Sequence, residues 1–135
     1  MTLLVAISGE SSLVLAADSR GTFGDPRGVT AQNDTMQKAS VLCRHAAALV
    51  AGSGEVGSLL IREVTQLVAE QQIDGVTPVT NYMRGHVRMR YDEWFPTVMA
   101  MPPLGLLQSG QAAARPELAL IVAGYETDGG PASIY

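Results

Sequence analysis

The chain has 135 residues, of which 47% are apolar and 16% are charged, and its formal net charge is −4. This composition excludes an intrinsically disordered protein, because so much apolar surface can be buried in a core. The negative charge and the absence of a Lys/Arg run give no attraction for phosphate backbones or anionic lipids, so neither nucleic acid nor membrane is expected as a partner. The length predicts a single domain over residues 1–135.

Cysteine content and the first residues of the chain indicate the compartment. The single cysteine, Cys43, cannot form an internal disulfide, which is typical of proteins in a reducing compartment. The opening apolar run is too short for a signal peptide. The longest apolar stretches, residues 46–51 and 118–123, are far shorter than the roughly 20 residues that span a bilayer. We therefore expect a cytoplasmic protein.

The first part of the chain predicts β-structure. Residues 2–8 and 13–18 are apolar runs joined by Gly and Ser, which is the pattern of a hairpin. Because both runs are continuously apolar rather than alternating, both faces of their sheet are expected to be covered. A glycine-rich loop over residues 21–28 is followed by two further strands, predicted at residues 36–42 and 46–51.

Two helices are predicted in the middle of the chain. Small residues end the preceding strand. A helix is predicted from about Glu55, because an acidic residue is favoured at the positive N-terminal end of a helix, and it runs to about Gln72. Thr77 as the N-cap and Pro78 as the first helical residue predict a second helix. This helix is expected to end near Phe95, before a proline.

The last part of the chain returns to β-structure. The loop over residues 96–116 is long for a compact domain, which suggests an insertion or a contact surface. Strands are predicted at residues 117–125 and 132–135, and the second of them is cut short, so we expect a domain that is incomplete at its C-terminus. The order of strands, two adjacent helices and strands favours an α+β fold with antiparallel sheets over a doubly wound sheet.

Familiar catalytic and metal-binding motifs are missing. The chain has no Gly-x-Ser-x-Gly, His-Glu-x-x-His or Cys-x-x-Cys segment. His45 lies between predicted strands and His86 on a predicted helix, and both are expected to be ordinary polar residues rather than ligands. Cys43 has no neighbour in sequence that would lower its pKa. Neither a metal nor an organic cofactor is predicted.

Thr2 is the candidate nucleophile. If an aminopeptidase removes Met1, the hydroxyl of Thr2 lies beside a free α-amine. The pKa of such an amine, about 7.7 to 8.0, allows it to act as the general base for that hydroxyl. The alternative is that Thr2 simply begins a β-strand, and its position alone does not distinguish the two.

The pattern around Thr2 extends along the chain. Its segments are Thr2-Leu-Leu-Val-Ala-Ile, Leu13-Val-Leu-Ala-Ala-Asp18-Ser19-Arg20, the spaced Asn33, Lys38 and Ala51-Gly52, and the later Val122-Ala123-Gly124-Tyr125 and Gly129-Gly130-Pro131. Together these segments resemble the β subunits of proteasomes, which are N-terminal nucleophile (Ntn) hydrolases. The resemblance implies a four-layer αββα sandwich with antiparallel sheets and threonine-dependent cleavage of peptides without a cofactor. It also implies assembly into a homo-oligomeric ring, and it leaves an ATPase partner open.

The resemblance assigns catalytic roles to Thr2, Asp18, Lys38 and Gly52. A Lys38 ammonium near the α-amine would lower the pKa of that amine by like-charge repulsion, so that more of it is neutral and able to accept a proton. The Asp18 carboxylate would keep Lys38 charged and in place. The backbone N–H of Gly52 would donate to the developing oxyanion.

Two further residues, Val50 and Gly54, match positions near the family's specificity pocket and imply a small apolar substrate site. Taken singly, Asp18 and Arg20 could instead be a surface ion pair, and Lys38 a solvated strand residue. Alternatives for the whole chain are a non-catalytic structural subunit of a ring and an Ntn amidase acting on a small molecule. A retained Met1 would favour the structural subunit, because it turns the α-amine into an amide.

Overall fold

The computed structural model describes residues 2–24, 30–96 and 115–135. In these residues the chain has the predicted mixed α+β character, with two helices and antiparallel sheets. Neither of the helices described here is both long enough and apolar enough to cross a bilayer. The predicted loop over residues 96–116 falls almost entirely outside the described residues.

The N-terminal hairpin is confirmed. Strand β1 (Leu4–Ser8) pairs antiparallel with β2 (Leu13–Ala17), and the connecting turn is closed by a 2.8 Å hydrogen bond from Gly9 N to Ser12 O. The expectation that both faces of this hairpin are covered is wrong for the described residues, because Leu3, Ile7 and Val14 are 63%, 58% and 54% exposed. A continuous apolar run indicates two faces that avoid water, but it does not supply the element that covers the second face.

The predicted loop over residues 21–28 contains a strand. Strand β3 (Gly21–Gly24) pairs antiparallel with β4 (Thr30–Asn33), so the prediction is wrong for its first four residues. A Cβ at position 21 would lie 1.8 Å from the Met36 sulfur, so a larger residue there would displace the Met36 side chain. The glycines therefore mark a close approach of side chain to backbone as well as a turn.

The main sheet has four antiparallel strands in the order β5-β6-β7-β8. They are β5 (Ala39–Val41), β6 (Ala46–Gly52), β7 (Leu118–Gly124) and β8 (Ser133–Ile134). The strand predicted over residues 36–42 is shorter than expected, because the Met36 N–H bonds to Ser19 O instead of joining the ladder. The strands predicted at residues 46–51, 117–125 and 132–135 are confirmed with small differences at their ends.

Both predicted helices are confirmed, as α1 (Gly54–Glu70) and α2 (Val76–Trp94). The prediction that Thr77 caps α2 is wrong, because the helix begins two residues earlier, at Val76, with Gly75 as the N-cap. The first backbone N–H groups of α2 donate instead to acceptors far away in the sequence. Val76 N donates to Tyr125 O at 2.9 Å, and Thr77 N donates to the Glu126 carboxylate at 3.1 Å. A cap supplied by the turn after β7 leaves no local sequence signal.

The core lies between the two helices and one face of the main sheet. Its buried members include Ile61, Val64 and Val68 of α1 and Val79 and Met83 of α2. Alternate residues of β6 point to opposite faces of the sheet. Ala48 belongs to this core, and Leu49 on the opposite face is fully buried as well. The central strand is thus covered on both sides, on one by the helices and on the other next to the β1–β2 hairpin.

An ion cluster ties the two helices together at the surface. The Glu63 carboxylate of α1 accepts hydrogen bonds from Arg90 at 2.6 and 2.9 Å and lies 3.0 Å from His86 Nε2. The Arg90 guanidinium, followed by His86, lowers the pKa of Glu63 to about 2. Since the ordinary value is near 4.5, the charged form of Glu63 is stabilised in the folded state.

We expect Glu63→Gln to make the stability of the protein less sensitive to acid. The pKa of Glu63 is lower in the folded chain than in the unfolded chain. Its contribution to the free energy of unfolding is therefore fully present above about pH 4.5 and is lost as the pH falls towards about 2. Urea unfolding should show a lower free energy of unfolding for the variant at pH 7 and a gap to the parent that closes between pH 5 and pH 2. Glu70→Gln on the same helix is the matched control. A gap that stays constant down to pH 2 would contradict the assignment.

Candidate active site

Lys38 is the buried charge at the centre of the candidate site. Its side chain is 6% exposed, and its Nζ lies 3.2 Å from Thr2 Oγ1 and 3.1 and 3.0 Å from the two carboxylate oxygens of Asp18. It also donates to the carbonyl oxygen of Arg20. An ammonium removed from water needs such acceptors, because an unpaired buried charge is very costly. The alternative of a solvated Lys38 is therefore wrong.

Asp18 connects Lys38 to the beginning of the chain. Its Oδ1 accepts a 2.9 Å hydrogen bond from Leu3 N, and its own N–H donates to Leu3 O at 3.1 Å. The Leu3 N–H, followed by the Lys38 ammonium, holds the pKa of Asp18 below its ordinary value. The alternative pairing of Asp18 with Arg20 is not formed, since Arg20 pairs with Asp34 at 2.7 Å. Asp18 therefore fixes both Lys38 and the backbone next to Thr2.

Gly52 ends β6 in a conformation that other residues rarely adopt. Its φ is +99°, and a Cβ at this position would lie 2.1 Å from Glu117 O. Ser53 N donates to Glu117 O on the β7 side, while Val50 N donates to Lys38 O on the β5 side. These two contacts fix the end of β6 on which Gly52 stands, two residues after Val50 and one before Ser53.

A cavity of about 1080 Å³ brings most of the predicted residues together. Thr2, Lys38, Val50, Gly52 and Gly54 all line it. Asp18 does not line the cavity and reaches it through its contact with Lys38. The side chains of Lys38 and Thr2 thus meet at the wall of an open cavity, where a substrate would contact the hydroxyl.

Met36 lines the same cavity, although the sequence pattern did not predict it as a site residue. A Cβ at Gly21 would lie 1.8 Å from its Sδ, and a Cβ at Gly54 would lie 2.3 Å from its Cε. The half-buried Met36 side chain therefore passes between β3 and the start of α1, through space that two glycines leave open. In the sequence, only the glycines at positions 21 and 54 indicated a close contact, and they did not indicate that Met36 is the residue that both of them contact.

Neither histidine nor Cys43 lines the cavity at Thr2. Among the described residues, no three His, Cys, Asp or Glu side chains lie close enough together to hold a metal ion. The two histidines lie elsewhere, His45 beside Asp74 at 2.8 Å and His86 beside Glu63. Burial raises the pKa of the Cys43 thiol, which disfavours the reactive thiolate.

Neither a comparison with models of known protein families nor a search of curated protein sequences found a match to this chain. The case for a function therefore depends on the geometry just described.

We expect Gly52→Ala to destabilise the protein far more than Gly129→Ala. Both glycines have positive φ, at +99° and +82°, so each substitution strains the backbone by about 1–2 kcal/mol. Only at Gly52 does the new Cβ also meet a neighbouring carbonyl, since nothing lies within 4 Å of a Cβ at Gly129. Thermal and urea unfolding measure the difference. Equal losses in the two variants would show that β6 and β7 do not approach as closely as described.

Proposed function

We propose that this chain is a threonine-dependent peptidase of the Ntn type, with Thr2 as the nucleophile once Met1 is removed. The observation that carries the proposal is the Lys38 ammonium, held 3.2 Å from Thr2 Oγ1 at the wall of a cavity. A buried ammonium beside a hydroxyl favours the negative charge that develops on that oxygen during attack. Among the described residues, Lys38 is the only buried charged side chain at this cavity, and Thr2 Oγ1 is the only side-chain hydroxyl to which it donates a hydrogen bond.

The proton chemistry follows from the position of Thr2 at the start of the processed chain. The free α-amine accepts the proton of its own hydroxyl, and Oγ1 attacks the carbonyl carbon of a bound peptide. The amine then returns the proton to the leaving nitrogen as the peptide C–N bond breaks, which leaves an ester on Thr2. Water, deprotonated by the same amine, hydrolyses that ester. Lys38 keeps the pKa of the amine low enough for both transfers.

The other residues have supporting roles in this proposal. Gly52 lines the cavity, and its N–H would donate to the oxyanion of the tetrahedral intermediate. Asp18 is a positioning residue, because it holds Lys38 and the Leu3 backbone but does not line the cavity. Val50, Gly54 and Met36 line the space in which a substrate side chain would lie, and favour a small apolar one.

We extend the proposal to the four-layer αββα sandwich. Helices cover one face of the main sheet, and the β1–β2 hairpin lies next to the other. A fourth layer would cover Leu3, Ile7 and Val14, whose exposure is costly in water. The cytoplasmic homo-oligomeric ring that degrades peptides or unfolded proteins is proposed from the resemblance to proteasome β subunits.

The direct test is cleavage of fluorogenic peptides by the purified protein, with the mass of the intact chain measured in the same sample. Protein that has lost Met1 should cleave, and Thr2→Ala should reduce turnover to the background rate. Thr127→Ala, at an exposed threonine in the turn after β7, is the matched control and should retain turnover.

Equal turnover in Thr2→Ala and the parent would overturn the proposed nucleophile. A chain that keeps Met1 in its native assembly and cleaves nothing would instead support the non-catalytic structural subunit. Cleavage of small amides but not of peptides would support the Ntn amidase.

A further inference from the structure

A second groove, of about 570 Å³, lies between α2 and the main sheet. It shares only Leu118 with the cavity at Thr2. Its floor is formed by Leu118, Leu120 and Val122, which are alternate residues of β7 and therefore point to one face of the sheet. Met83 and Val87 of α2 form an apolar wall. The volume is in the range of about 300–1000 Å³ that small-molecule sites occupy.

One edge of this groove carries a row of hydrogen-bond donors. Thr80, Arg84 and Arg88 follow one another at intervals of four residues on α2, so their side chains lie on the same face of the helix. Within the described part of the chain, neither Arg84 nor Arg88 makes an ion pair or a side-chain hydrogen bond. Two like charges one helical turn apart repel each other unless an anion lies between them.

The remaining charges of the groove compensate each other. Asp92 pairs with Arg115 at 2.8 Å, and Arg115 also donates to the carbonyl oxygen of Phe95. The groove therefore presents the positive charge of Arg84 and Arg88 in a protein whose net charge is −4. The groove is thus locally positive, although the chain as a whole is negatively charged.

Thr80 supplies an independent observation. It is 6% exposed, and its Oγ1 has no hydrogen-bond partner, although buried hydroxyl groups nearly always have one. It stands at the inner end of the row that Arg84 and Arg88 continue. The oxygen itself is covered, so the exposed guanidinium groups of Arg84 and Arg88 are the polar groups that a ligand in the groove reaches first.

We propose that this groove binds a small amphipathic carboxylate, with its anionic group on Arg84 and Arg88 and its apolar chain on the floor formed by β7. Guanidinium groups bind carboxylates through paired hydrogen bonds, and the two arginines lie at the edge of an apolar channel. The site is independent of the proposed peptidase activity, because none of its polar groups lines the cavity at Thr2.

The test is a titration of the full chain with decanoate below its micelle concentration, followed by calorimetry and by NMR of side-chain methyl groups. We expect saturable binding with one site and shifts at Val87, Leu120 and Val122. Decanol, which has the same chain without the charge, should bind at least about 10-fold more weakly, because it cannot pair with the arginines.

The double variant Arg84→Gln/Arg88→Gln should weaken decanoate binding by a similar factor. Both side chains are exposed, so the variant should fold, and its thermal unfolding checks this. Arg62→Gln on the exposed surface of α1 is the matched control and should bind as the parent does. The proposal is overturned by no saturable binding, by equal binding of decanol, by unchanged binding in the double variant, or by shifts confined to residues outside the groove.

Discussion

The burial of the Lys38 ammonium is the interaction on which the rest of this structure depends. A charge with 6% of its side chain exposed must have acceptors close by, and here they come from Thr2, Asp18 and the Arg20 carbonyl. All three precede β5 in the chain, while Lys38 stands at its start. The ammonium therefore links the N-terminal hairpin to the main sheet, on the face opposite the helices. Because Asp18 also binds Leu3 N, the same contacts fix the backbone beside Thr2.

The main sheet and helix α1 supply the other half of the site. The seven paired residues of β6 and β7 bring Gly52 so close to Glu117 that only glycine fits, and α1 begins two residues later. The core of helix and sheet side chains packs against β6, and Gly52 and Lys38 line one cavity. The proposed acyl transfer would need a preorganised donor and a fixed charge, since neither then has to reorganise as charge develops.

The sequence predicted those features that depend on local pattern. The hairpin of β1 and β2, the buried strand β6 and both helices were predicted nearly at their observed bounds, because apolar periodicity and turn residues specify them locally. Long-range contacts explain the failures. Glu126 bonds the N-terminus of α2, so Thr77 was wrongly predicted as its N-cap. Gly21 accommodates Met36, so the start of β3 was wrongly predicted as a loop. Thr2, Lys38 and Gly52 were found through their spacing in a pattern similar to a known family, whereas Met36 belongs to no such pattern.

The most direct measurement of the central claim is covalent trapping of the nucleophile. A peptide carrying a β-lactone acylates an activated hydroxyl group as its ring opens, and peptide mapping by mass spectrometry then locates the ester. The account predicts a single adduct on Thr2 in chains that have lost Met1, and its loss in Lys38→Met, which removes the ammonium beside Oγ1. An adduct on another residue, or labelling of Thr2 at the same rate without the Lys38 ammonium, would contradict it.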